Sequence, residues 1–187
     1  MEKSIRIAWG ITGAGDRLKE TIDVMKRLKE NYSVEIRVYV SQAGEQVLKW
    51  YKFLEEIRES FDRFYVEKNA NSPFLAGELQ IGKYRALIIA PATANTVAKI
   101  AGGIADTLLS NSALMALKSF VPVYVMPSDY KEGEIITDLP DGRKLRLRVR
   151  REDVEHVERL RQVDGIHVVE SPEELERSLE KLLSPKI

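Results

Sequence analysis

Short apolar runs that alternate with stretches of helical periodicity constrain this chain more than any other feature. The run at residues 5–9 ends at Gly10, and after Thr12-Gly13-Ala14-Gly15 apolar residues recur at Leu18, Ile22, Met25 and Leu28. Val34, Ile36, Val38 and Val40 then alternate with polar residues, and one long helical stretch follows over about 42–59. The run at 86–90, closed by Pro91, leads into helical patterns over about 93–101 and 106–117, and 121–126 supplies another buried strand. Strand, loop and helix in this order predict βα units. Parallel strands need crossover connections, so the reading is an α/β fold whose mostly parallel sheet is covered on both faces.

Between the second helical stretch and the run at 86–90, residues 61–66 read as a short strand and 68–73 as a polar loop. After Met126 the texture changes. Residues 134–137 and 144–149 flank Asp138-Leu139-Pro140-Asp141-Gly142, whose Asp-Gly step is a hairpin turn, so about 131–150 reads as an appendage on the sheet. A helix over 151–163 and a short strand over 166–169 follow. Ser171-Pro172-Glu173-Glu174 then opens a last helix with an N-cap serine and a proline at its first position.

The chain has 187 residues, which fits one domain over 1–187. Lysine plus arginine and aspartate plus glutamate both number 29, so the formal charge is zero, which argues against a nucleic-acid binder. The absence of cysteine excludes disulfides, thiolate nucleophiles, zinc–thiolate clusters and iron–sulfur ligation through protein sulfur. Redox chemistry must therefore come from a bound organic cofactor. Met1-Glu2-Lys3-Ser4 runs directly into a strand-like segment, and no stretch of about 18 apolar residues occurs, so neither a secretory signal nor a membrane span is expected. The expected location is the cytoplasm. Charged residues at 31% without cysteine lean towards a thermophile.

In open parallel sheets ligands bind beyond the carboxyl ends of the strands. After the first strand, the glycines of Gly10-Ile11-Thr12-Gly13-Ala14-Gly15 let backbone approach a ligand, and the next helix N-terminus offers N–H groups to a phosphate. A tight βα turn without a ligand is the other reading. A dinucleotide is disfavoured: the third glycine of that fingerprint is replaced by Leu18, and the second strand ends in Val40-Ser41 rather than an acid. Ser41 suits a phosphate contact or the N-cap of the following helix, and the two roles can coexist. The most specific block is Ala90-Pro91-Ala92-Thr93-Ala94-Asn95-Thr96, continuing to Gly103-Ile104-Ala105-Asp106-Thr107-Leu108-Leu109. Pro91, Ala92 and Ala94 leave room for a flat ring, while Thr93, Asn95, Thr96 and backbone N–H groups can meet its polar edge. A helix start capped by Thr93 is the plainer reading, and capping alone does not explain an amide and two hydroxyls together.

This block resembles the FMN-binding flavoprotein family that includes phosphopantothenoylcysteine decarboxylase, lantibiotic cysteine decarboxylases and the flavin prenyltransferases, over roughly residues 4–128. The resemblance implies a Rossmann-like, flavodoxin-like three-layer sandwich with bound FMN. It also implies a homo-oligomer, trimer-based or dimeric, with FMN at or near the subunit contact. It puts the phosphate on Thr12, Gly13, Ala14 and Ser41 and the isoalloxazine against Thr93 to Thr96, with Ser128 as a further contact.

The decarboxylases follow their fifth strand with Pro-x-Met-Asn-x-x-Met-Trp, use a histidine ahead of the fourth strand and carry a catalytic cysteine. Here the corresponding segment reads Met126-Pro127-Ser128-Asp129-Tyr130, residues 72–79 contain no histidine, and cysteine is absent. The stretches 8–15 and 139–174 look instead like the archaeal flavoproteins, FMN proteins that take electrons from ferredoxin. A related branch, the dihydromethanopterin reductases, adds an iron–sulfur module that a chain without cysteine cannot hold. The resemblance thus implies an FMN electron carrier or small reductase with ferredoxin as donor; the alternative is an FMN-dependent lyase or transferase of the cysteine decarboxylase or prenyltransferase type. A regulatory subunit that uses the pocket for assembly is a third reading.

Three further groups of residues carry expectations. Arg143, Lys144, Arg146, Arg148, Arg150 and Arg151 alternate in part with Leu145, Leu147 and Val149, so a strand would turn its apolar residues to the core and a basic ridge to solvent. That ridge either docks an acidic ferredoxin or is a solvated face paired with Glu152 and Asp153. Trp9, Trp50, Tyr51 and Phe53 offer either a flavin-stacking ring or core and interface packing. His156 and His167 do not read as a metal site.

Overall fold

A computed structural model describes residues 5–184. Met1 to Ser4, read from the sequence as leading into the first strand, lie outside the described residues. The first half runs β1 (Ile5–Ile11), α1 (Leu18–Asn31), β2 (Val34–Val40), α2 (Gln42–Trp50), α3 (Leu54–Ser60), β3 (Arg63–Val66) and α4 (Leu75–Gln80). Next come β4 (Ala86–Ala92), α5 (Ala94–Gly102), α6 (Leu108–Lys118) and β5 (Val123–Pro127). The last part holds β6 (Gly133–Asp138), β7 (Lys144–Val149), α7 (Arg151–Arg161), β8 (Ile166–Val168) and α8 (Pro172–Leu183).

Six strands form one sheet in the order β3-β2-β1-β4-β5-β8, with every pairing parallel. This is the doubly wound order of Rossmann-like folds, and it bears out the α/β expectation. Period-two side chains explain the two-sided core. Ile7 and Trp9 of β1, Ile36 and Val38 of β2 and Ile88 of β4 pack with α1, α3 and α8, whereas Ala8, Tyr39, Leu87 and Ile89 pack with α4 to α7. Strands buried on both faces read as nearly continuous apolar runs.

Three segments depart from the sequence reading. The helical stretch over 42–59 is two helices, α2 and α3. Lys52 breaks it by adopting φ 63°, with its N–H on the Lys49 carbonyl and the Phe53 N–H on Leu48, a Schellman closure without the usual glycine. α4 was not foreseen, because it is six residues long and too short to show a period. β4 continues through Pro91 and Ala92 with a register shift against β5.

The expected hairpin forms, but β6 and β7 make a separate two-stranded antiparallel sheet instead of extending the main one. Its apolar residues also miss the core: Leu145 and Leu147 are 38% and 48% exposed, and only Val149 is buried.

Candidate functional site

The strand order reverses between β1 and β4, since the chain winds from β1 towards β3 and from β4 towards β8. A crevice opens at their carboxyl ends, and buried polar contacts fix its floor. Thr12 is 2% exposed; its N–H and hydroxyl donate to the Pro91 carbonyl at 3.3 and 2.7 Å, while its Oγ1 accepts from the Thr93 N–H at 2.9 Å. Its hydroxyl therefore ties the two loops together. Ser128 donates its N–H and hydroxyl to the Ala92 carbonyl at 2.9 and 3.0 Å, which brings the end of β5 into the same framework. Thr93 caps α5 by accepting from the Thr96 N–H at 3.3 Å, and the two hydroxyls lie 3.1 Å apart.

The loop after β1 leaves several backbone N–H groups without carbonyl partners. Ala14 donates to the Thr12 carbonyl, but among the described residues the N–H groups of Gly13, Gly15, Asp16 and Arg17 meet no carbonyl. Unpaired N–H groups in such a loop favour an anion. The glycines themselves answer to protein packing. A Cβ at Gly13 would stand 2.8 Å from the Ala43 Cβ, and one at Gly15 would stand 2.5 Å from the Tyr51 hydroxyl. Ser41 caps α2, accepting from the Gly44 N–H at 2.9 Å, so its hydroxyl proton is left to donate elsewhere. Glu67 had no sequence signal. Its carboxylate accepts from the Leu108 N–H at 2.7 Å and the Gln42 N–H at 3.3 Å, bridging the starts of α6 and α2.

Beside the β1–α1 loop lies a cleft of about 260 Å³, lined by residues 13–16, by Val47, Trp50 and Tyr51 of the α2 end, by Thr93, Ser128 and Asp129, and by the hairpin. Ile135, Thr137, Leu139, Leu145 and Leu147 form its roof, which explains why the leucines stop short of the core. Tyr51 holds the roof in place by donating to the Asp138 carbonyl at 2.9 Å. Of the residues expected at a ligand, Gly13, Ala14, Thr93 and Ser128 line this cleft. Thr12, Pro91, Ala92 and Thr96 are buried behind it, Ala94 is half-buried, Ser41 is partly exposed, and Asn95 is exposed at the start of α5. Among the four aromatics, Trp50 and Tyr51 reach the cleft. Trp9 is core: it is fully buried, donates its indole N–H to the Ala90 carbonyl at 2.7 Å and meets Phe61 edge-on.

A larger hollow, about 680 Å³, lies at the opposite end of the sheet beside Arg6, Ile81, Tyr84 and Phe120. It sits at the amino ends of the strands, away from the helix N-termini that a phosphate needs, whereas the smaller cleft lies beside them.

Electrostatics separates two parts of the site. Burial holds the carboxyls of Asp16 and Asp129 above the usual carboxylate range. The basic ridge is largely neutralised, with Arg143 on Asp141, Lys144 on Asp138, Arg146 on Glu134, Arg150 on Asp153 and Arg151 on Glu155. Arg148 alone of the six has no carboxylate partner among the described residues. His167 stacks on Tyr124 at 4.7 Å, and His156 is on α7; no group of three or more metal-ligating side chains occurs among the described residues.

The Flavoprotein family model matches residues 1–181. The chain belongs to that family. It is 50% identical over 182 residues to an uncharacterised protein of Methanocaldococcus jannaschii, covering 97% of this chain and 98% of that one. It is 42% identical to a dihydromethanopterin reductase (acceptor) of the same organism and 44% identical to one from Methanosarcina mazei, over 77% and 72% of this chain. The chain spans only 63% and 59% of the lengths of those two reductases. Among solved structures it resembles Burkholderia xenovorans DmrB in complex with FMN, described as a cubic protein cage for redox transfer. The TM-score is 0.82 and the identity 34%, over 97% of this chain and 96% of that one.

Proposed function

We propose that this flavoprotein binds FMN without a covalent link and acts as an electron carrier or small reductase. The observation that carries the reading is the juxtaposition of an anion niche, with four N–H groups free of carbonyl partners, and an apolar cleft roofed by a hairpin. The donor set fits the group. Gly13, Gly15, Asp16 and Arg17 N–H groups and the Ser41 hydroxyl would hold the phosphate, and Tyr51, Leu145 and Leu147 would bound the ring. FMN, when bound, supplies the ability to accept and release electrons singly or in pairs. The protein's part is to orient and shield it: Thr12 keeps the niche in fixed relation to the start of α5, and Tyr51 keeps the roof down.

Membership of the family and the likeness to an FMN-bound cage protein support this reading. A homo-oligomer follows the same likeness, with a neighbouring copy completing the solvent side of a cleft whose Trp50 and Leu147 are about half exposed. Ferredoxin is the proposed donor, docking near Arg148. A chain without cysteine lacks the thiol of the family's decarboxylases, which favours electron transfer over the lyase reading.

Mixing purified protein with FMN tests the reading. Flavin fluorescence should be quenched to saturation at one FMN per chain, and reduced ferredoxin should bleach the bound flavin. Unsaturable binding would remove the cofactor assignment, and bound flavin that ferredoxin leaves oxidised would remove the donor.

A further inference from the structure

Two carboxylates, those of Asp16 and Asp129, line the cleft. Asp16 follows the glycines of the β1–α1 loop, and Asp129 follows Ser128 after β5. Their presence runs against the rest of the site, because negative charge beside an anion niche opposes the ligand that the niche attracts. Neither side chain has a cationic partner at ion-pair distance among the described residues. The backbone of Ala94 at the start of α5 and the charge of Arg150 favour the ionised form of Asp129, against repulsion from Asp153 on α7 and from Asp16. That arginine is itself engaged with Asp153 at 2.6 Å. Asp16 feels Arg17 beside it and Glu20 on α1. Burial outweighs these influences at both positions, so each carboxyl holds its proton to higher pH than an exposed aspartate.

We infer that Asp16 and Asp129, facing the flavin across the cleft, hold its reduction potential low when ionised and release that hold as they take up protons. The inference rests on the FMN reading. Each electron entering the site adds one negative charge, and a proton drawn from water cancels it. Ionised carboxylates nearby oppose the added charge and shift the equilibrium towards the oxidised cofactor. Reduction in turn strengthens proton binding by the pair, so electron uptake and proton uptake are linked through these two side chains.

The test is an equilibrium redox titration of the FMN-loaded full chain, followed by flavin absorbance, with wild type, Asp16→Asn and Asp129→Asn compared across pH. At pH 8 both variants should have a higher potential than wild type, and the gap should close as the solution is acidified, because the buried wild-type carboxyls take up protons at higher pH than an exposed aspartate does. Asp129→Glu, which keeps the charge, should stay near wild type. Equal potentials at pH 8, or an offset that persists unchanged into acid, would overturn the inference and assign the carboxylates to packing. Wild-type protein that takes up no FMN would overturn both this inference and the cofactor reading, whereas FMN-loaded variants with unshifted potentials would overturn this one alone. If one asparagine variant fails to bind FMN, the other carries the comparison.

Discussion

Strands β2 and β7 carry the same alternation of apolar and polar residues and put it to opposite uses. In β2, Val34, Ile36, Val38 and Val40 are at most 7% exposed and pack into the core. In β7, Leu145 and Leu147 remain open to solvent because they roof a cleft rather than meet a helix. An apolar stripe states that a face is kept from water, and it leaves open whether protein, ligand or a second chain does the covering.

The comparison breaks most sharply under truncation. Ile88→Ala in β4, fully buried between two layers, should lower unfolding free energy by about 3 kcal/mol, measured by denaturant titration of the apo protein. Leu147→Ala in the hairpin should change that quantity by less than about 1 kcal/mol, because a surface site away from the core carries little of the fold. Its cost should fall on cofactor affinity, weakened roughly tenfold for about 1.4 kcal/mol of lost contact. Equal stability losses at the two positions would mean that the hairpin belongs to the core after all.

A subtler change sharpens the division. Tyr51→Phe keeps the ring against Gly15 and removes only the hydrogen bond to the Asp138 carbonyl, worth about 1 kcal/mol. Stopped-flow release of FMN should speed up several-fold while thermal stability of the apo protein stays close to wild type. Unchanged release would show that the roof is held by its leucines alone.

Much of the sheet was legible because both its faces are buried. The apolar runs located β1, β2, β4 and β5, and polar side chains marked the helix starts at Ser41, Thr93 and Ser171. What escaped depends on contacts between residues distant in sequence. The break at Lys52 follows from a left-handed residue that is not glycine, and the Glu67 bridge joins two helix starts that sequence spacing does not relate. The glycine loop lies beside the cleft, and the packing of Ala43 and Tyr51 against Gly13 and Gly15 accounts for its glycines without a ligand. The sequence left the basic ridge open between docking and pairing, and five of its six cations pair with carboxylates of the same hairpin or of α7.

Arg148→Glu gives the smallest expected effect. Of the ridge's cations, Arg148 has no carboxylate partner among the described residues, so the variant should slow flavin reduction by ferredoxin a few-fold at low ionic strength. FMN content and reduction by dithionite should not change. Arg146→Glu, whose parent side chain is paired with Glu134, should have less effect on the rate. A reversed ranking would move the docking surface away from Arg148.

The most direct test of the account is a crystal structure of the FMN-loaded protein. Its phosphate should lie on the loop at residues 13–17 and its ring between Tyr51, Thr93 and the hairpin leucines. A flavin seated instead in the hollow beside Tyr84 and Phe120, at the other end of the sheet, would contradict it.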